Sequence, residues 1–502
     1  MPDKTFIVKN QEVDDDFLIK YFCDLIKENK IDYISQMEEF TIYDENIEEL
    51  FDDIYKEIDN IKLVKILETI LINSKEDDKK AIVLKKQKLI FQRLWPHLVR
   101  NAIKFLRNYD KRDKGSLKFD FGVKKLMDYF DEFSKFEELL YGIDELYRDH
   151  SIHVFRVYFL GEFLIRHYIN GYENLEILNY PGLLKFKQTT PNEKEAMWCI
   201  IALCHDLGYP LQKLDELNKK VLKILEFFGT SNFSPLKFSL PLEGTILDKF
   251  ILKIISSRLT DKLKIHLQPK FYAKYSNSYE KLNHGIMSCI LLMKNLVYFK
   301  ETDYQVTFTE GYSVNNNKSI YLEDARQFII RKEILRAIAS HDNEDIYHIK
   351  MNNFLFLLIV CDELQEWGRP ASYKRLFYIL AKNKEIINIK KFNNDLIDIE
   401  TNLNFSLGDL EKYVTKKFTK FIRLLRSGIH SDLREFEFKY MIKNREGYEY
   451  LFSYVSPAKF YNESENKNKS YPQPECVKKD KDGKIDKDFS IKNIINFLNQ
   501  KK

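Results

Sequence analysis

The sequence predicts a mainly α protein: a helical bundle, preceded by a helical N-terminal region and followed by a small C-terminal α/β piece. Three observations carry this. Gly 16 and Pro 12 in 502 residues are few for a chain built of strands and tight turns. Apolar residues recur at a helical period over long stretches. Beyond one short hairpin-like stretch in a loop, strand-like alternation stands in a late segment, EFEFKYMIKN at 435–444, where Phe436, Phe438, Tyr440 and Ile442 alternate.

The elements follow in chain order. Between Phe51 and Ile72 the apolar positions are Phe51, Ile54, Ile58, Ile61, Val64, Leu67 and Ile70, close to a period of 3.6. Ala81 to Leu106 repeats the pattern, interrupted by Pro96, and the charged stretch Arg107 to Lys125, with Gly115 and Gly122, is a connection. Residues 1–135 form the N-terminal helical region. Residues 136–385 hold long apolar helical segments, with loop-rich insertions at Phe228–Gly244 and Lys300–Ser319; the second contains YQVTFTEGYSV, a short hairpin pattern. Residues 386–461 form the α/β piece. Its helix, Leu410 to Arg426, has an apolar stripe (Leu410, Val414, Phe418, Phe421, Leu425) and a basic line (Lys412, Lys416, Lys420, Arg423). Residues 462–502, with ESENKNK and KKDKDGK, are a flexible tail, with a last short helix at Phe489–Leu498.

Composition excludes several functions. Lys+Arg 80 against Asp+Glu 76 leaves only +4, no basis for a dedicated nucleic-acid or membrane-surface protein. The longest apolar runs, Ala196–Cys204 and Phe354–Cys361, are too short to span a bilayer. The start, MPDKTFIVKN, has no signal-peptide run, and the six cysteines form no CxxC pair, so core thiols in a reducing cytoplasm are expected. P-loop and dinucleotide glycine patterns are missing.

Chemistry concentrates where histidine or aspartate meets the end of an apolar helix. His205–Asp206 follows Ala196–Cys204, and Gly208 and Pro210 close that helix. A neutral imidazole and a hard carboxylate side by side suit one cation, and a carboxylate can bridge two. His150 and His153 lie three apart and share a helix face. Spacing alone does not choose between them, but Val157, Leu160 and Leu164 continue the stripe of His153. His284 opens GIMSCILLM, His341 closes IRKEILRAIAS, and Asp362 directly follows eight apolar residues, a costly place for a carboxylate without a cation. An isolated HD dipeptide is a chance event; the ordered set is not.

That ordered set resembles the HD-domain metal-dependent phosphohydrolase superfamily. HSxxV at His150 (or HxxxV at His153), HDLGYP, NHGxxS, AIASHD and CDELQEWGRP stand in the family's order over about residues 140–385. The resemblance implies a helical bundle around one or two divalent cations, with Mn, Fe, Mg, Co and Ni all compatible. His153 (or His150), His205, Asp206 and Asp362 would hold the first cation. His284 and His341 would hold a second, with Asp206 bridging and His150 as general acid or supporting donor. Arg369, seven residues after Asp362, and Lys213, seven after Asp206, are the phosphate-binding candidates, and Tyr209 and Trp367 are candidates to stack a base.

The expected activity is hydrolysis of a nucleotide-type phosphoester, a phosphodiester in first place. The alternatives are a dNTP triphosphohydrolase, a catalytically weak nucleotide sensor or partner-binding protein, and a single-strand nuclease using the basic line at 410–426. Tyr209 and Glu366 depart from the triphosphohydrolase pattern. Nucleic acid is not the favoured partner, no membrane is expected, and a homo-oligomer is compatible with the sequence.

Overall fold

The computed structural model describes residues 11–35, 63–65, 67–68, 80–107, 122–143, 149–177, 188–228, 242–296, 299, 322–343, 352–365, 367, 386–393, 395–403, 407–428, 435–456, 474–486 and 489. The insertion expected at Lys300–Ser319, Arg369, the terminal helix expected at Phe489–Leu498 apart from Phe489, and the helix expected at Phe51–Ile72 apart from 63–65 and 67–68 lie outside these residues; so does the insertion expected at Phe228–Gly244, apart from Phe228 and from Leu242–Gly244, which open a helix. Two compact units interleave along the chain: Met1–Phe22, Phe159–Glu176 and Glu344–Lys502 in one, Cys23–Tyr158 and Ile177–Asn343 in the other.

The first unit corrects the expected fold class. It is built on a seven-stranded mixed sheet in the order β1-β4-β5-β6-β7-β8-β9. The strands are β1 (Gln11–Val13), β4 (Ile386–Phe392), β5 (Leu396–Leu403), β6 (Glu437–Asn444), β7 (Glu449–Val455), β8 (Glu475–Lys479) and β9 (Ile485–Asp486). The α/β component is therefore a substantial layer and not a small C-terminal piece. All pairs are antiparallel except β5–β6, where the chain crosses over through a helix at Leu407–Gly428. That helix seats its stripe on the sheet, with Phe421 5.0 Å from Phe438 and Phe418 5.3 Å from Phe452 between ring centroids. Alternation is strict: Phe438, Tyr440 and Ile442 of β6 are buried, as are Ile397, Ile399 and Leu403 of β5.

Two departures have a physical cause. The tail expected to be flexible supplies β8 and β9, and the N-terminal segment supplies β1. These are short strands rich in charge, so their composition resembles a linker. Their hydrogen bonds come from the neighbouring strand, and charge on edge strands discourages pairing with other chains. The expected basic line is also partly spent inside this unit. Buried Glu363 accepts from Lys417, whose Nζ reaches both the carboxylate and the Glu363 carbonyl at 2.6 Å, and also from Lys420.

The second unit is helical. Its members are α2 (Asp32–Ser35), α3 (Lys80–Arg107), α4 (Val123–Ile143), α6 (Pro191–Cys204), α7 (Tyr209–Glu226), α8 (Leu242–Ile255), α9 (Pro269–Glu280), α10 (His284–Asn295) and α11 (Leu322–Ser340), with a hairpin of β2 (Ser257–Leu259) and β3 (Ile265–Leu267). Helix α1 (Asp15–Lys27) and helix α5 (His153–His167) each belong partly to both units. Helix α3 runs on through Pro96. Helix α6 is the buried axis. Thr190 and Glu193 close a capping box at its start, and Ala196 through Cys204 are all buried. Trp95 of α3 donates its indole N–H to the Leu203 carbonyl at 2.8 Å. The six cysteines are buried free thiols. Among the described residues no helix is long and apolar enough to cross a membrane.

Candidate metal centre

Each chemically loaded residue of the second unit stands where an apolar helix stops or starts, because the helix end leaves room for a polar side chain beside a dry core. Asp149 accepts the backbone N–H of Ile152 at 2.7 Å and so turns the chain through His150 and Ser151 into α5, which begins at His153. Helix α6 ends on His205, and a turn through Asp206, Leu207 and Gly208 leads into α7. His284 is the first residue of α10, and His341 immediately follows α11.

These ends converge on Asp206. Its Oδ2 lies 3.4 Å from His205 Nε2 and 3.8 Å from His153 Nε2. Its Oδ1 lies 3.4 Å from His284 Nε2 and 3.7 Å from His341 Nε2. Ligand atoms held about 2.0–2.2 Å from one cation stand about 3–4 Å from each other, so both groups have cation-sized spacing. His153, His205 and Asp206 form one such group, and Asp206, His284 and His341 another.

The tautomers favour the same reading. His205 Nδ1 is 2.8 Å from the Ala202 carbonyl, and His341 Nδ1 is 2.7 Å from the Ile338 carbonyl. Carbonyls only accept, so these nitrogens carry the protons and leave their Nε2 lone pairs bare. His284 Nδ1 faces Gln212 Oε1 at 2.6 Å and Asp342 Oδ2 at 3.3 Å, with the same consequence. The Nε2 atoms of His284 and His341 are then 2.9 Å apart, lone pair towards lone pair. Such an arrangement needs a positive charge among the nitrogens, either a proton or a cation. The donor set of neutral imidazoles around a shared carboxylate fits a divalent metal. Burial pushes the Asp206 carboxyl up, but the positive charge His205 carries when protonated, a hydrogen bond from a protonated His341, and the same charge on His150 and His284 more than offset this and hold it well below the usual carboxylate range; a cation among the neutral rings supplies the same field.

His150 takes a different place. Its ring stacks on Tyr209 at 3.8 Å, its Nε2 is 4.0 Å from Asp206 Oδ2, and its Nδ1 is 3.7 Å from Glu137 Oε1. Glu137, fully buried on α4, also accepts the His150 backbone N–H at 2.6 Å and the Ser151 hydroxyl. The structure therefore groups His153 with His205 and Asp206 and sets His150 just outside. Lys213, one turn along α7, holds its Nζ 5.7 Å from the centre of the Tyr209 ring. Asp362 lies in the last turn of the helix α12 (Phe354–Leu364), in the first unit. Trp367, a candidate to stack a base, is instead a buried aromatic there and donates to Asp15 at 2.7 Å.

No protein-family model, no curated protein and no solved structure matches this chain. Sequence reading missed Glu137, Gln212 and Ser288. Glu137 and Gln212 sit in no word that signals chemistry, Ser288 closes the NHGxxS word without a role assigned to it there, and each acts through a contact with a segment distant in sequence. Asp342 was visible as the residue after His341, but not its contact with His284.

Proposed function

We propose that this chain is a two-metal phosphohydrolase that cleaves a nucleotide-type phosphoester, a phosphodiester in first place. The observation that carries the reading is the division of labour on Asp206, with Oδ2 facing His153 and His205 and Oδ1 facing His284 and His341. A mononuclear or purely structural site has no use for two imidazole pairs on opposite oxygens of one carboxylate. The order of the histidine and aspartate words, which resembles the HD superfamily, supports the same reaction class. When bound, two divalent cations supply Lewis acidity at the phosphoryl oxygens and lower the pKa of an attacking water.

The chain's own residues do the rest. Backbone carbonyls fix the His205 and His341 rings, and Gln212 fixes His284, so the Nε2 atoms are aimed before any ligand arrives. His150, outside both pairs and backed at Nδ1 by Glu137, is placed to hand a proton from Nε2 to a leaving oxygen. Tyr209 fixes the His150 ring by stacking, and Lys213 above Tyr209 supplies positive charge for a phosphate not under attack.

The test is metal analysis of the purified protein followed by hydrolysis assays on cyclic mono- and dinucleotides, dNTPs, ppGpp and single-stranded RNA and DNA, each with Mn, Fe, Mg, Co and Ni. Two metal equivalents and a phosphoester turnover abolished in Asp206→Ala are expected. Failure to bind any of these metals, or turnover near wild type in Asp206→Ala, would overturn the proposal.

A further inference from the structure

We propose that the Ser288 hydroxyl is a clamp that sets the separation of the two cation positions, so that the His284–His341 position depends on it; this rests on the two-metal reading above. Ser288 lies one turn into α10 from His284 and is fully buried. Its Oγ accepts the Gly208 N–H at 2.8 Å, and its proton faces the carbonyls of His205 at 2.7 Å and His284 at 2.8 Å. A hydroxyl has one proton and two acceptor lone pairs, so both functions are committed in a place water does not reach. The bonds tie the backbone of the turn carrying Asp206 to the first turn of the helix carrying His284.

The glycines show independently how close these segments stand. A Cβ on Gly208 would lie 2.3 Å from the His284 carbonyl oxygen and 2.5 Å from Met287 Cβ. One on Gly285 would lie 2.5 Å from the Ile338 carbonyl oxygen and 2.7 Å from Asp342 Oδ1. The Asp206 turn, α10 and the end of α11 thus approach at a spacing that no side chain could share. Hydrogen bonds from Ser288 fix that spacing, and with it the 3.4 Å from Asp206 Oδ1 to His284 Nε2. Ser288 reaches only the backbone of His205; the Ala202 carbonyl anchors the His205 ring, and His153 stands on α5. Losing the hydroxyl therefore loosens the His284–His341 position, whose helix loses its tie to the Asp206 turn, more than the His153–His205 position.

The probe is Mn(II), titrated into the full chain by calorimetry and followed by electron paramagnetic resonance. Wild type should take up two ions with an exchange-coupled spectrum. In Ser288→Ala the first ion should bind as in wild type, the second about 10–100-fold more weakly, the range for losing a group that supports a metal ligand, and the coupling should weaken. Should Ser288→Ala not fold, the shape-matched variants Ser288→Thr and Ser288→Val decide the matter: threonine should keep the second ion and the coupling, valine should lose both. An unchanged second affinity and coupled spectrum without the hydroxyl would overturn the clamp. So would equal weakening at both positions, which marks general loosening. A wild type that binds a single ion would overturn the two-metal reading itself, and the clamp with it.

Discussion

Lys332 offers the sharpest test of how this fold handles charge. It lies in the middle of α11 with no exposed surface, and its Nζ makes no hydrogen bond. Burial drives its pKa down from 10.5 to about 8; Glu333 opposes the drop and Arg336 adds to it. Below about pH 8 the folded chain must carry a proton on a dry, unbonded ammonium. At 1.36 kcal/mol per pKa unit the cost at pH 7 is about 3 kcal/mol. The unfolded chain keeps its proton up to about pH 10.5, so between pH 8 and 10.5 it binds more protons than the folded chain. Stability owed to this residue therefore rises with pH across that window. Lys332→Met keeps the length of the stem and removes the charge. It should raise the melting temperature at pH 7 by about 6 °C, taking roughly 2 °C per kcal/mol for a large unit, and the gain should fade as pH approaches 10.5. Calorimetry at pH 7, 9 and 10.5 checks this. A variant no more stable than wild type at pH 7, or a gain that does not change with pH, would refute the reasoning.

Other predictions follow from the same geometry. His341→Ala should reduce bound metal from two equivalents to one, because it removes one of the two imidazoles facing Asp206 Oδ1 while His153 and His205 both remain on Oδ2; elemental analysis after dialysis reads this directly. Lys213→Ala should raise KM, with binding weaker by about 1–2 kcal/mol and kcat largely kept, because a contact to a phosphate not under attack is made equally in ground and transition states. Glu363→Ala should destabilise the first unit by about 3–5 kcal/mol, because it strands the buried Lys417 ammonium. Denaturant titration compared with Glu363→Gln, which keeps a hydrogen-bond acceptor, checks that last value.

The sequence by itself determined where polar chemistry interrupts apolar helices. His153, His205, Asp206, His284 and His341 were legible because a charged or imidazole side chain at the end of a long apolar run is expensive unless something uses it. The stripe of Leu410, Val414, Phe418, Phe421 and Leu425, and the alternation around Tyr440, were legible because one buried face imposes a period. The tertiary structure decided the rest. It set His150 apart from His153 through Glu137, a residue of α4 with no local signature, and tied off the Nδ1 atoms with carbonyls and Gln212. It also recruited Gln11–Val13, Glu475–Lys479 and Ile485–Asp486 into a sheet that their composition does not announce. The physical reason is the same in each case. Periodicity reports which face of a segment is dry, whereas an edge strand, a ring orientation or a buried carboxylate is settled by hydrogen bonds from a partner far away in the chain.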